Sequence, residues 1–158
     1  MFRRARHGRT NLTVIDAVLL VVVIAIVCAT AVPLIEAANR RAQQSVLAQN
    51  LHTLRSQIEL YKAEHGGQPP LLHEGTLPQM VQPTSADGVP GPAGGKYPFG
   101  PYLWSGVPVN PVTGRSVIAA AKTFPPTAAS GNSGWLYHQE TGQIVPDLDE
   151  YLGQHQPE

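Results

Sequence analysis

Six histidines, one cysteine and eleven acidic side chains are the groups of this 158-residue chain that could carry reactive or metal chemistry. The histidines are His7, His52, His65, His73, His138 and His155. No two of them have the His-x-x-x-His spacing that sets paired imidazoles on one helix face for a metal. No serine, cysteine or aspartate stands in a nucleophile motif, and there is no phosphate-binding glycine loop. Cys28 lies within an apolar run, where a thiol packs as a small hydrophobe. Four aromatics, Tyr97, Phe99, Tyr102 and Trp104, fall close together and could form a binding surface. In a small domain such residues more often cover a sheet or helix, and that is the expectation here. The chain is therefore expected to be no enzyme and to need no cofactor.

The elements that hold these groups differ sharply along the chain. Eleven basic residues balance eleven acidic ones, and only 14 % of residues are charged. A nucleic-acid binder working through bulk electrostatics would show a basic excess, so nucleic acid is not an expected partner. Fifteen Gly and fifteen Pro exclude a helical bundle and lie almost wholly in the second half. Near the N-terminus, Ala17 to Ile35 carry no charge at all. About 20 mostly apolar residues cross a hydrocarbon core, so this run predicts a single membrane span over about 12–35. Arg3, Arg4, Arg6 and Arg9 precede it in a basic leader, residues 1–11, and by the positive-inside rule they stay cytoplasmic. A cleaved secretory signal ending near Cys28-Ala29-Thr30-Ala31 is the competing reading. Against it, the run flows without a break into a helical pattern, with Leu47, Leu51, Leu54, Ile58 and Tyr61 spaced at four, three, four and three. Gln49, Asn50, Arg55, Gln57, Glu59 and Lys62 lie between them and predict a polar opposite face. One long helix is thus expected from about Thr13 to Glu64, ended by Gly66-Gly67, with an exported amphipathic part over 36–65.

Two residues are unusual for a plain anchor. Asp16 places a carboxylate where lipid makes it costly by about 2.5–3.5 kcal/mol. Pro33 removes one helical hydrogen bond late in the run. Leu12-Thr13-Val14-Ile15-Asp16, followed by a Val/Ile-rich run and Pro33, resembles the N-terminus of type IV pilins and type II secretion pseudopilins. Asn11 stands where that family has Gly, and Asp16 where it usually has Glu. The resemblance implies cleavage between Asn11 and Leu12 by a membrane-embedded prepilin peptidase, methylation of the new amine, and helix-driven assembly. It further implies that Asp16 pairs with the N-terminal amine of a neighbouring subunit.

Residues 66–158 predict an exported, loop-rich head. Gly66 to Gly95 reads as a meandering surface loop with one helical turn at Thr76–Val81. Ser116–Ala120, Trp135–His138 and Gln143–Val145 are the strand candidates, the last two forming a hairpin around Glu140-Thr141-Gly142. The expected fold is α+β and pilin-like, with the helix packed on a small antiparallel sheet. The sheet, through Trp135, Tyr137 and Ile144, should cover the Leu47, Leu51, Leu54 and Ile58 stripe. Gly100-Pro101-Tyr102-Leu103, Pro108-Val109-Asn110-Pro111 and Gly134-Trp135-Leu136-Tyr137 with Thr141-Gly142 are similar to the major-pseudopilin branch. That branch implies calcium on a late loop, for which Asp147, Asp149 and Glu150 are the candidates. They lack the spacing of a calcium loop, and a solvated acidic tail is the preferred reading.

These features together predict a structural filament subunit. It would sit in the bacterial inner membrane with a cytoplasmic N-terminus and a periplasmic head. Its expected partners are the prepilin peptidase, the lipid bilayer, an inner-membrane assembly platform, homologous pilin-like subunits and other copies of itself. The alternative, from another class, is a single-pass anchored domain that binds a ligand or carbohydrate and never polymerises.

Overall fold

The computed structural model describes residues 13–152, with only the backbone described for 28–34. Helix α1 spans Val14–Glu64, a segment with no glycine and with Pro33 as its one proline. It stops where Gly66 and Gly67 take positive φ values of 62° and 83°. The Gly67 amide donates back to the Lys62 carbonyl at 2.7 Å, the bond that closes a Schellman-type cap. The chain divides into two units, Met1–Arg41 and Ala42–Glu158.

In the second unit, α1 contributes a single buried stripe. Leu47, Leu51, Leu54, Ile58 and Tyr61 belong to one core cluster with Ile118, Trp135, Tyr137 and Ile144, so the sheet does cover the stripe. The residues expected on an opposite polar face lie partly on the flanks. Asn50, Arg55, Gln57 and Lys62 are half-buried. Asn50 Nδ2 donates to the Val109 carbonyl at 2.9 Å and Arg55 Nε donates to the Ile144 carbonyl at 3.2 Å. Lys62 Nζ reaches Glu59 Oε1 at 2.8 Å and the Thr141 carbonyl at 3.4 Å. Long polar side chains here lay their stems over the core edge and fix the helix to the loops beside it.

The sheet has three strands, β1 Ile118–Ala120, β2 Trp135–His138 and β3 Gln143–Pro146, in the order β1-β2-β3. β2 and β3 form the expected antiparallel hairpin, with Tyr137 opposite Ile144 and Leu136 opposite Val145. Gly142, at φ 75°, closes its turn by donating to the His138 carbonyl at 2.9 Å. The all-antiparallel expectation is corrected at β1, which pairs with β2 in parallel, Ile118 beside Trp135 and Ala120 beside Tyr137. Residues 121–134 are the reason, because a parallel pair needs a long crossover and these residues supply one.

That crossover also does something a hairpin could not. Side chains alternate across a strand, so Trp135 and Tyr137 face α1 while Leu136 and Val145 face away. Yet Leu136 and Val145 are both buried and stand outside the main cluster. Lys122, Thr123, Pro126, Thr127 and Ala128 lie against Leu136 around a cleft of about 240 Å³, covering the back of the sheet. The head is layered as helix, sheet and loop.

The Gly66–Gly95 segment is a second correction. It is more than a surface loop, because Leu77, Met80, Gln79 and Thr84 within it are buried. A one-turn helix, α2, spans Pro78–Val81, shorter than the turn expected over Thr76–Val81. The Met80 carbonyl accepts from the amides of both Tyr102 and Leu103, at 2.9 and 2.8 Å. These bonds carry the backbone polarity that burial would otherwise leave unsatisfied.

Candidate functional site

Two places bear on function, the N-terminal part of α1 and the loop side of the head. In the first unit, Val14, Ile15 and the large apolar residues from Val18 to Val27 are between 49 % and 82 % exposed. They point to every side of the helix, and Val14, Ala17, Val18, Val21 and Val22 line one shallow groove along it. Soluble monomers rarely leave a contiguous apolar surface of this extent open to water.

At the start of this helix Thr13 and Asp16 cap one another. The Thr13 amide and hydroxyl donate to Asp16 Oδ2 at 2.9 and 2.7 Å, and the Asp16 amide donates to Thr13 Oγ1 at 3.3 Å. This is a capping box built with aspartate, which satisfies helix donors that have no partner within the helix. Sequence reading set Asp16 beside Thr13 without assigning it this role; the Thr-x-x-acidic spacing was the available signal. Asn11 and Leu12 lie outside the described residues, and so does the side chain of Pro33, whose backbone continues α1. Among the described residues no helix is long and apolar enough to cross a membrane. The charge-free run of the sequence, Ala17–Ile35, includes the seven residues 28–34 whose side chains are not described.

In the head the aromatic group does not form a shared surface. Tyr102 is buried, edge-on to Tyr61 at 5.4 Å, and its hydroxyl donates to Glu64 Oε2 at 2.5 Å. Burial and the neighbouring Glu64 push its phenol well above the usual range. Phe99 packs on the core and meets His65 edge-on at 5.1 Å, and Tyr97 is half-buried. Trp104, by contrast, is 84 % exposed.

His65 is buried and stacked on Tyr61 with centroids 4.0 Å apart. Its Nδ1 lies 2.9 Å from the Tyr61 carbonyl, and its Nε2 lies 3.0 Å from the Ser85 carbonyl and 3.1 Å from Thr84 Oγ1. The ring ties the end of α1 to the 84–85 loop. His138 Nδ1 sits 2.9 Å from Thr141 Oγ1 in the hairpin turn, and His52 and His73 are exposed. His7 and His155 lie outside the described residues, as does nothing else of this set. Among the described residues no three His, Cys, Asp or Glu side chains gather where they could hold a metal.

The calcium candidates separate. Asp147 is 3 % exposed, and its carboxylate accepts from the Ser130 amide at 2.6 Å and the Ser133 amide at 3.1 Å. It accepts as well from the Ser133 hydroxyl at 2.6 Å and from the Ser130 hydroxyl. Burial pushes this carboxyl up, but the four hydrogen bonds outweigh it and hold the group below its ordinary value. Asp147 is thus a buried brace for the 130–133 turn, which corrects its reading as part of a solvated tail. Asp149 and Glu150 fit that reading, exposed in a short 3₁₀ turn, Asp149–Tyr151. Nothing in the sequence near Asp147 announced the brace, since its serine partners stand well before it in the chain. Compared with protein-family models, curated proteins and solved structures, the chain matches none of them.

Proposed function

We propose that this chain is a structural subunit of a pilus-like filament, a pseudopilin of a type II secretion system, and has no chemistry of its own. The observation that carries this reading is the apolar surface of α1 from Val14 to Val27, open on all sides. An apolar helix of this kind requires lipid or other helices around it. Its residues from Ala17 on, with 28–35 of the sequence, make a charge-free run long enough for a single inner-membrane span. Storage in the membrane followed by helix-to-helix packing among copies uses the same surface twice. The resemblance of Leu12–Asp16 and Pro33 to the pilin pattern supports filament assembly over a plain anchor. The scattering of Tyr97, Phe99, Tyr102 and Trp104 weakens the alternative of an anchored ligand binder.

In this reading a prepilin peptidase cuts between Asn11 and Leu12, an inner-membrane platform extracts the subunit, and the head lies on the periplasmic side. Mass spectrometry of the mature chain tests it. The expected N-terminus is a methylated Leu12, and Asn11→Gly should speed the cut. A mature N-terminus at Met1, or after Ala29 or Ala31, would overturn the proposal.

A further inference from the structure

Among the described histidines only His65 is buried, and both of its ring nitrogens face backbone carbonyls. Nδ1 lies 2.9 Å from the Tyr61 oxygen, and Nε2 lies 3.0 Å from the Ser85 oxygen. A carbonyl oxygen only accepts, so each contact is a hydrogen bond only when its nitrogen carries a proton. A neutral imidazole has one N–H and an imidazolium has two. Both contacts are therefore satisfied together only when the ring holds its second proton. We propose that His65 is a proton-operated latch, tightening the 85–88 turn onto the end of α1 as an imidazolium and loosening it as a neutral ring. This goes beyond the filament reading and does not depend on it.

The neutral ring has one good arrangement at this place. Nδ1–H keeps its bond to Tyr61, and the bare Nε2 accepts from the Thr84 hydroxyl, 3.1 Å away. The Ser85 carbonyl then faces a lone pair at 3.0 Å, and the two repel. The other tautomer moves the same conflict to the Tyr61 carbonyl. Protonation removes it in both cases. The Ser85 carbonyl keeps its bond from the Gly88 amide at 2.9 Å in either state. What the neutral ring gives up is thus the tie between the turn and α1, while the turn itself stays closed.

The surroundings suit a cation. From α1, the Tyr61 ring stacks on the imidazole at 4.0 Å and 8°, within cation–π range. From the 99–102 segment, Phe99 and Tyr102 stand across it at 5.1 and 6.3 Å. Burial raises the phenols of Tyr61 and Tyr102, so both stay neutral while the imidazole titrates. Glu64 supplies the carboxylate of this group, its Oε2 accepting the Tyr102 hydroxyl at 2.5 Å. From the loop, Thr84, Ser85 and Gly88 stand beside the ring, and Asp87, the one charged residue there, is exposed. Docking of the turn and the second proton favour one another, so the turn is firmest on the acid side and loosens as pH rises through the histidine range.

The test uses the full-length chain in lipid nanodiscs and follows amide hydrogen exchange, corrected for the pH dependence of the intrinsic rate. The reporting amides are Ser85 and Gly88, which donate to the Val89 and Ser85 carbonyls at 3.0 and 2.9 Å. The Asn110 amide, bonded to the Arg115 carbonyl at 2.9 Å in a separate turn, is the control. Protection of Ser85 and Gly88, relative to Asn110, should be at least about fivefold greater at about pH 5 than at about pH 8. His65→Gln keeps a side-chain N–H donor but does not titrate, and should make the relative protection equal at the two pH values. Nitrogen-15 spectra of the unaltered ring should show two N–H groups at the acid end and one at the other, a readout that needs no variant to fold. The proposal is overturned if relative protection is equal at both ends in the unaltered chain. It is overturned as well if the dependence persists in a folded His65→Gln, or if the ring holds the same number of protons throughout.

Discussion

Leu54 is the position where the architecture of the head is most directly put to the test. It is fully buried and belongs to the same cluster as Trp135, Tyr137 and Ile144. Truncation to alanine removes its transfer free energy and leaves a cavity, a loss of about 3–4 kcal/mol for a site this closed. Leu54→Asp loses the same contacts and also buries a carboxyl among apolar neighbours, adding about 2–4 kcal/mol. The combined loss of about 5–8 kcal/mol is comparable with the whole stability of a domain, about 5–15 kcal/mol. The aspartate variant of residues 42–158 should therefore be largely unfolded at 25 °C, with the alanine variant folded but weakened. Urea unfolding followed by tryptophan fluorescence reads this cleanly. Trp135 is buried, with its indole N–H donating to the Pro108 carbonyl at 2.8 Å, and reports the transition. Trp104 is already in water, and Trp104→Phe removes its background. Ser56→Asp, on the exposed face, is the control and should shift stability by less than about 0.5 kcal/mol. It is a better control than Gln57, which the periodicity places opposite the core but which is half-buried. If Leu54→Asp unfolds at the same urea concentration as the parent, the stripe does not hold the sheet and the packing of helix on sheet fails with it.

Asp16→Ala should leave membrane insertion intact or improve it, since an ionisable group is removed from the apolar run, and should reduce incorporation into filaments in a cross-linking assay. Thr13→Ala breaks the capping box but keeps the carboxylate; equal failure of both variants would assign the requirement to the helix cap and remove the need for an amine partner. The Asp147 carboxyl titrates below its unfolded value, so its contribution to stability is complete above the ordinary carboxylate range and is lost as pH falls through the depressed native value. Melting of the head should accordingly weaken below about pH 4, and Asp147→Asn should flatten that limb while lowering stability at neutral pH by about 1.5–3 kcal/mol. An unchanged acid limb in Asp147→Asn would show that other carboxyls set it.

The parts of the fold that local spacing encodes were legible. The four-three-four-three rhythm from Leu47 to Tyr61 fixes a helix and its buried face, and the hairpin of β2 and β3 follows from two short apolar runs around Thr141-Gly142. The parallel pairing of β1 was not legible, because Ile-Ala-Ala has little alternation and nothing in the strand itself states its partner. Burial of Leu77 and Met80 was hidden in a Gly- and Pro-rich stretch whose order depends on side-chain bonds from Gln79, Gln139 and His65 across the fold. Long-range polar bonds of this kind leave no period in the sequence. The brace at Asp147 is another such case.

The helix that forms the floor of the head is also the first part of the head to be made. Leu47 to Tyr61 leave the ribosome well before Trp135 and Ile144, the residues that cover them. At about 5–20 residues per second, the interval between Ile58 and Ile144 is roughly 4–17 s. Throughout it the nascent chain carries a bare leucine stripe on the same helix as an apolar run, and both surfaces attract any other apolar segment nearby. Every shortened product that ends before β3 would keep that stripe permanently open. Such fragments, lacking Ile144 and the Arg55 bond to its carbonyl, would be substrates for chaperones and proteases instead of subunits. Quality control over this chain is thus built into the order of its residues, since only a chain translated through β3 can close over its own helix.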